Sequence, residues 1–267
     1  MAVIVPAEQG FARSSEGRTM DSLKGKVAVV VGGSSGIGAA TVRILADAGA
    51  TLAIGFNRGE ARAQALRDEL PGKSHSVFAI SIDDPSSVRR AAAQVLANHG
   101  RADFLVNSAG TTRLIPHADL DALDDEFFDL IMASNVRGPF ATIRAFAPAL
   151  RASGSGVIVN ISSISGFTGS GSNIGYCASK AALDTMTMSL ARALGPEIRV
   201  MGVSPGAVAT DFVAGRDRAA LEKIAATTPL RRVVEPDDVG RAVLACVTLL
   251  TASTGTRIVC DGGRFLV

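Results

Sequence analysis

The stretch Val27-Ala28-Val29-Val30-Val31-Gly32-Gly33-Ser34-Ser35-Gly36-Ile37-Gly38-Ala39-Ala40 decides the fold. Five apolar residues in a row, four of them β-branched, read as a strand buried on both faces rather than one that alternates apolar with polar. The run ends in a turn of glycine and serine, and an alanine-rich helical stretch follows through Ala48. Strand, glycine turn and helix together form the setting in which a dinucleotide pyrophosphate meets the positive end of a helix. The spacing is G-x-x-x-G-x-G rather than G-x-G-x-x-G, so the turn alone also allows a ligand-free connection. Its place on the first strand favours nucleotide binding.

Outward from this stretch, short β-rich runs alternate with longer alanine-rich ones. Strands are expected over Val27–Val31, Leu52–Phe56, Ser76–Ile80, Phe104–Asn107, Val157–Ile161, Arg199–Val203 and Arg257–Cys260. Helices are expected over 37–48, 59–70, 85–99, 122–151, 175–194 and 236–250. This order predicts an α/β, single-domain Rossmann fold: a doubly wound parallel sheet with helices on both faces. Residues 1–22 lack any sustained period and read as a mobile N-terminal extension, with one dinucleotide-binding catalytic domain over 23–267.

Composition narrows the function classes. Of 267 residues, 47% are hydrophobic and 19% charged, too apolar for disorder, and the scarcity of aromatics (4%) leaves a core of Ala, Val, Ile and Leu. A net charge of +2 with scattered Lys and Arg offers no footprint for nucleic acid. No apolar run reaches membrane-spanning length, and the first residues lack the pattern of a signal peptide. The three cysteines, Cys177, Cys246 and Cys260, are far apart with no C-x-x-C pair, so neither a disulfide framework nor a metal site is expected, and the compartment is read as cytoplasmic. Cys177 reads as a small helix residue, and His75, His99 and His117 as loop or surface residues.

The chemistry concentrates around the single tyrosine. Tyr176 stands four positions before Lys180, a spacing that puts both on one helix face, and Ser163 follows the strand Val157–Ile161. A cation beside a phenol is expected to lower its pKa towards the range of a general acid or base at neutral pH. Y-x-x-x-K also arises by chance on solvated helices.

Gly32, Gly36 and Gly38, Asn107-Ser108-Ala109-Gly110, Asn135, Ser163, Tyr176, Lys180, Ser204-Pro205-Gly206 and Asp261-Gly262-Gly263 together resemble the motif set of the short-chain dehydrogenase/reductase family, in order and at the family's spacing. The resemblance covers the chain beyond the extension. It implies a seven-stranded sheet, a nicotinamide cofactor across the C-terminal strand ends, and catalytic Asn135, Ser163, Tyr176 and Lys180. It further implies that Lys180 holds the nicotinamide ribose and lowers the Tyr176 pKa, and that Asn135 holds a water linking Lys180 to solvent. Cofactor contacts carried over are Gly32, Ser34, Ser35, Gly36, Ile37, Gly38, Asn57, Ser81, Ile82, Asn107, Ala109, Gly110, Pro205, Gly206, Val208 and Thr210. Three positions depart from the family pattern: Val31 in place of Thr, Ser108 in place of a second Asn, and Ser81 in place of the Asp that meets adenine.

The second strand ends in Gly55-Phe56-Asn57-Arg58-Gly59, with no acidic residue before Glu60. Arg58 is therefore expected to pair with a 2′-phosphate, which predicts NADP(H) over NAD(H). The expected activity is hydride transfer between NADP(H) and a ketone or 3-oxoacyl thioester, with Tyr176 as general acid/base. A dehydrogenase of sugars, steroids or other secondary alcohols is the alternative, and a non-catalytic dinucleotide sensor the alternative of another class. Residues Phe212–Thr228 read as either a mobile lid or an amphipathic surface helix over the substrate. The family resemblance implies a homotetramer, or a dimer, acting on a small molecule.

Overall fold

Each valine-rich run needs cover on two faces, and each helix has one apolar stripe to hide. The computed structural model describes residues 23–267, and there the chain meets both needs with one all-parallel sheet. Its strands are β1 Val27–Val31, β2 Thr51–Phe56, β3 Ser76–Ala79, β4 Phe104–Asn107, β5 Gly156–Ile161, β6 Ile198–Pro205 and β7 Arg257–Cys260. They lie in the order β3-β2-β1-β4-β5-β6-β7. The expected extension over 1–22 lies outside the described residues.

The helices are α1 Gly36–Asp47, α2 Glu60–Glu69, α3 Pro85–His99, α4 Asp125–Met132, α5 Gly138–Ala152, α6 Ser165–Thr168, α7 Ile174–Leu194, α8 Arg218–Ala226 and α9 Pro236–Thr248. Side chains of β1 part to two sides, as a pleated strand requires. Ala28 and Val30 pack with residues of α1, α2 and α9, while Val29 and Val31 pack with residues of α3, α5 and α7. The winding direction reverses between β1 and β4, and an open α/β sheet forms its crevice at the carboxyl ends of the strands at such a point.

Two polar devices brace this sheet. At the opposite end of β1, the fully buried Asp103 carboxylate accepts from the Val27 N–H (2.9 Å), from Lys26 Nζ (3.1 Å) and from Arg101 Nε (2.8 Å) and Nη2 (2.6 Å). Burial pushes its pKa up, but the hydrogen bonds from Arg101, Val27 and Lys26 outweigh it and leave the group below the ordinary aspartate value. Beneath the crevice, Thr142 Oγ1 donates to Asn107 Oδ1 (2.7 Å), Asn107 Nδ2 donates to Asn160 Oδ1 (2.9 Å), and Asn160 Nδ2 donates to Thr187 Oγ1 (2.9 Å). This chain runs from α5 through β4 and β5 into α7.

The helix expected over 122–151 is interrupted. Between α4 and α5 the residues Ala133–Arg137 form a π turn, with the Gly138 N–H reaching back to the Ala133 carbonyl. One inserted residue in the turn rotates the helix beyond it, and such turns recur at functional sites. Asn135 lies inside this one. The segment Phe212–Thr228 contains an ordinary surface helix, α8, capped by Asp217 and burying Leu221 and Ala225.

Candidate active site

A cleft of about 1060 Å³ opens at the carboxyl ends of the strands. Its phosphate-sized corner is built from the glycine turn. Gly32 has φ +79, and a Cβ there would come 2.7 Å from the Ala109 N, so β1 and the β4 loop close on each other only through glycine. Gly38 packs against the Gly32 carbonyl with no room for any side chain. Ser34, Ser35, Gly36 and Ile37 line the cleft, and Ser35 caps α1 without a side-chain hydrogen bond. The first N–H groups of a twelve-residue helix are thus left for an anion.

Beyond this corner, Asn57 and Arg58 line the wall at the end of β2, joined one helical turn later by Arg62. A Cβ on Gly59 would lie 2.8 Å from Arg62 Nη2 and 3.1 Å from Ser34 Oγ, which fixes the guanidinium beside the serine turn. Glu60 accepts from Gln64 Nε2 (3.1 Å) and does not line the cleft. Past β3, Ile82 lines the wall with Asp83, whereas Ser81 does not. The Ser81 hydroxyl donates to Asp83 Oδ1 (2.5 Å) and its N–H donates to Ser87 Oγ (2.9 Å), which holds Ser81 outside the cleft lining.

At the centre, α7 begins where Asn173 Oδ1 accepts from the Tyr176 N–H (2.7 Å), and Asn173 Nδ2 ties the turn to Thr112 and Arg113. Tyr176, Ser163 and Lys180 all line the cleft and all are buried. Ser163 Oγ accepts from the Ser165 N–H (3.1 Å), which leaves its own O–H to donate. Lys180 Nζ donates to the Ile161 carbonyl (2.8 Å) and stands 5.6 Å from the Tyr176 ring centroid.

The electrostatics correct the expected phenol. Burial pushes the Tyr176 pKa up to about 12, and the opposing pull of the Ser163 hydroxyl is smaller. Burial brings Lys180 down to about 8, against the attraction of Asp184. The spacing of four residues places the lysine near the ring, and burial rather than the lysine's charge dominates the phenol's pKa.

Asn135 and Asn107 stand behind the cleft wall. Neither lines the cleft, and both are buried. Asn135 Oδ1 accepts from the Thr111 N–H (2.8 Å), while Nδ2 donates to the Thr111 carbonyl (3.0 Å) and to Ser179 Oγ (3.1 Å). Its amide clamps the loop after β4 onto α7. Asn107 belongs to the buried polar chain described above. Gly38 likewise serves loop closure, whereas Ala109, Gly110, Pro205, Gly206, Val208 and Thr210 line the cleft.

Comparison with known proteins adds an independent line. A family profile described as Enoyl-(Acyl carrier protein) reductase matches residues 31–264. A protein of Streptomyces violaceoruber named as a ketoacyl reductase of the granaticin polyketide synthase is 38% identical over 92% of this chain and 99% of its own. The chain belongs to the short-chain dehydrogenase/reductase family. A 3alpha-hydroxysteroid dehydrogenase of Mediterraneibacter gnavus is 37% identical over 90% of this chain and 97% of its own. A solved dehydrogenase/reductase from Sinorhizobium meliloti superposes with a TM-score of 0.82 at 32% identity, over 92% and 97% of the two chains.

Members of the short-chain dehydrogenase/reductase family are oxidoreductases that use NAD(P)(H). The uncapped start of α1 beside close-packed glycine fits the pyrophosphate of such a cofactor. Several cleft residues escape the sequence reading: Arg62, Asp83, Arg264 and Phe265. Arg62 has a usable signal, its i+4 spacing from Arg58 at a helix start. Arg264 and Phe265 have none, because only the fold carries the last residues back to the cleft. Phe212 and Arg216, from the segment after β6, complete that wall, with the Phe212 ring centroid 6.1 Å from that of Tyr176.

Proposed function

We propose that the protein is an NADP(H)-dependent reductase of ketones or 3-oxoacyl thioesters. The observation that carries the chemistry is a buried, protonated phenol with the Ser163 hydroxyl beside it, both facing one cleft. Reduced nicotinamide, when bound, supplies the hydride. Charge then grows on the substrate oxygen, and donors already in place stabilise it. Ser163 donates a hydrogen bond to that oxygen, and Tyr176 delivers the proton from its hydroxyl. A phenol held neutral by burial suits the acid role in the direction of reduction. Lys180, an ammonium with a pKa of about 8, is the buried proton source beside the ring. Asn135 is a positioning residue, acting through Thr111 and Ser179.

The preference for NADP(H) rests on Arg58 and Arg62. Both side chains line the cleft, Arg58 just past the end of β2, where an acidic residue would otherwise accept from the ribose 2′-OH, and Arg62 one turn on, near Ser34. Two guanidiniums suit a phosphate instead. Run in reverse, the same site oxidises a secondary alcohol, and the hydroxysteroid dehydrogenase relative supports that second reading.

The deciding experiment is NADPH consumption on a panel of ketones and a short 3-oxoacyl thioester, with Tyr176→Phe as control. The variant is expected to fold and bind NADPH while losing about 10²–10⁴-fold in turnover. Turnover retained in Tyr176→Phe would sink the mechanism. NADPH bound but never consumed by the native protein would favour the sensor.

Homotetramer assembly is part of the same proposal. Phe140 on α5, Met188 on α7, and Leu266 and Val267 leave large apolar side chains exposed on the elements expected to meet. Sedimentation velocity tests this, and a monomer at micromolar concentration would refute it. No described helix is long and apolar enough to cross a membrane. A cytoplasmic location is proposed with this activity.

A further inference from the structure

The wall of the cleft facing Tyr176 carries more positive charge than the proposed reaction uses. Arg216 comes from the segment after β6 and Arg264 from the turn after β7, and both line the cleft while half-buried. Among the described residues, neither guanidinium forms an ion pair or a side-chain hydrogen bond, although Arg218, Arg232 and Arg257 in the same third of the chain are each paired with a carboxylate.

Asp261, Asp217, Glu222 and Glu235 are held by other groups. Asp261 Oδ1 accepts from the Gly263 N–H (2.8 Å) and Oδ2 from the Phe265 N–H (2.8 Å), which builds the turn that presents Arg264. Asp217 Oδ1 accepts from the Ala220 N–H (2.8 Å) as the cap of α8. Glu222 and Glu235 both accept from Arg218. Asp211 lines the cleft but is exposed, and it follows Thr210, whose methyl group faces Gly36 of the phosphate corner.

The two cations and the phenol share one neighbourhood. Burial holds Arg216 below the ordinary arginine value, the like charge of Arg264 adds to this, and Tyr176 pulls the other way. Two half-buried guanidiniums that repel each other are costly unless a counter-ion comes between them. The turn carrying Arg264 is itself braced, with the Phe265 ring edge-on to Phe167 at 5.7 Å between centroids.

We infer that Arg216 and Arg264 form a site for an oxyanion of the substrate, so that the substrate class is a ketone bearing a carboxylate or phosphate a few bonds from its carbonyl. The phosphates of the cofactor are met elsewhere, at α1 and at Arg58 and Arg62, which leaves this pair for the substrate. The inference rests on the proposed reductase reading and narrows it. The phosphate at the far end of a pantetheine arm lies too many bonds from a 3-oxo group to serve both Tyr176 and this pair.

The test compares matched charged and neutral ketones with the full chain and saturating NADPH: levulinate against methyl levulinate, and dihydroxyacetone phosphate against dihydroxyacetone. The ratio of kcat/KM for the charged over the neutral member is expected to exceed about tenfold in at least one pair, since charge-assisted bonds to two guanidiniums are at stake. The favoured pair tells carboxylate from phosphate. That ratio is expected to fall towards one in Arg216→Gln and in Arg264→Gln. A native ratio at or below one in both pairs, or a ratio unmoved in the two variants, overturns the inference.

Absence of turnover with every ketone would count against the reductase reading alone. The site is then decided by thermal stabilisation of the NADPH-bound protein by glutarate and by inorganic phosphate. A shift lost in the double variant supports the site, and no shift in the native protein overturns it.

Discussion

Replacing Asn135 with alanine tests whether the π turn exists to clamp the cleft. The amide makes three hydrogen bonds, two to the Thr111 peptide and one to Ser179, from a position only 1% exposed. A typical intramolecular hydrogen bond contributes about 1 kcal/mol net, and a buried group left without a partner costs about 1–3 kcal/mol. The Thr111 N–H and carbonyl lie at the cleft edge, where water entering the vacated space recovers part of that cost. The expected loss is therefore about 3 kcal/mol, which in a domain of this size lowers Tm by about 6–12 °C. Activity is expected to fall with it, because Thr111 lines the cleft and the next residue, Thr112, is hydrogen-bonded to Ser172 on the far wall (2.5 Å). Differential scanning calorimetry and NADPH oxidation on the same preparation read both effects. A Tm within about 1 °C of the native protein, with undiminished kcat, would refute the clamp.

The charges around the cleft make two further outcomes measurable. Turnover in the direction of reduction should decline as pH rises through about 8, since Lys180 loses its proton there while Tyr176, at about 12, keeps its own. A pH–rate profile flat from 7 to 10, a range set on the order of the Lys180 titration, would deny Lys180 the role of proton source. Arg58→Gln and Arg62→Gln should each weaken NADPH binding about tenfold, equivalent to about 1.4 kcal/mol, with the affinity for NADH little changed. Fluorescence titration of both cofactors measures this, and equal losses for NADH would remove the two arginines from cofactor choice.

The strands are legible because a parallel sheet covered on both faces demands near-continuous aliphatic runs: Val27–Val31 supplies one, and Val157–Ile161 another broken only by Asn160. Strand ends are less so: β6 runs on to Pro205, past its last aliphatic residue, because pairing with β7 rather than composition sets its length. The break inside 122–151 is marked only by Gly138-Pro139 just after it, at the start of α5. A π turn changes the period by one residue without any proline or glycine at Ala133–Arg137 to announce it. Tyr176, Lys180 and Ser163 are found by spacing, which conveys proximity. The pKa of the phenol departs from expectation because it depends on burial, which spacing does not convey. Arg264 belongs to the cleft only through the fold, from a position about 200 residues beyond Arg62 on the opposite part of the lining.

The buried pair Asn107 and Asn160 also settles a question of alignment. Strands β4 and β5 carry near-uniform aliphatic side chains, and a slide of two residues would return every valine and isoleucine to the correct face at small apolar cost. The two asparagines stand opposite each other in the ladder, at Asn107↔Asn160. Any slide would strand two primary amides in a dry interior and part Thr142 and Thr187 from their acceptor and donor. The amides thus act as a key that admits one alignment of the central strands, and with it one placement of Ser163 relative to Tyr176.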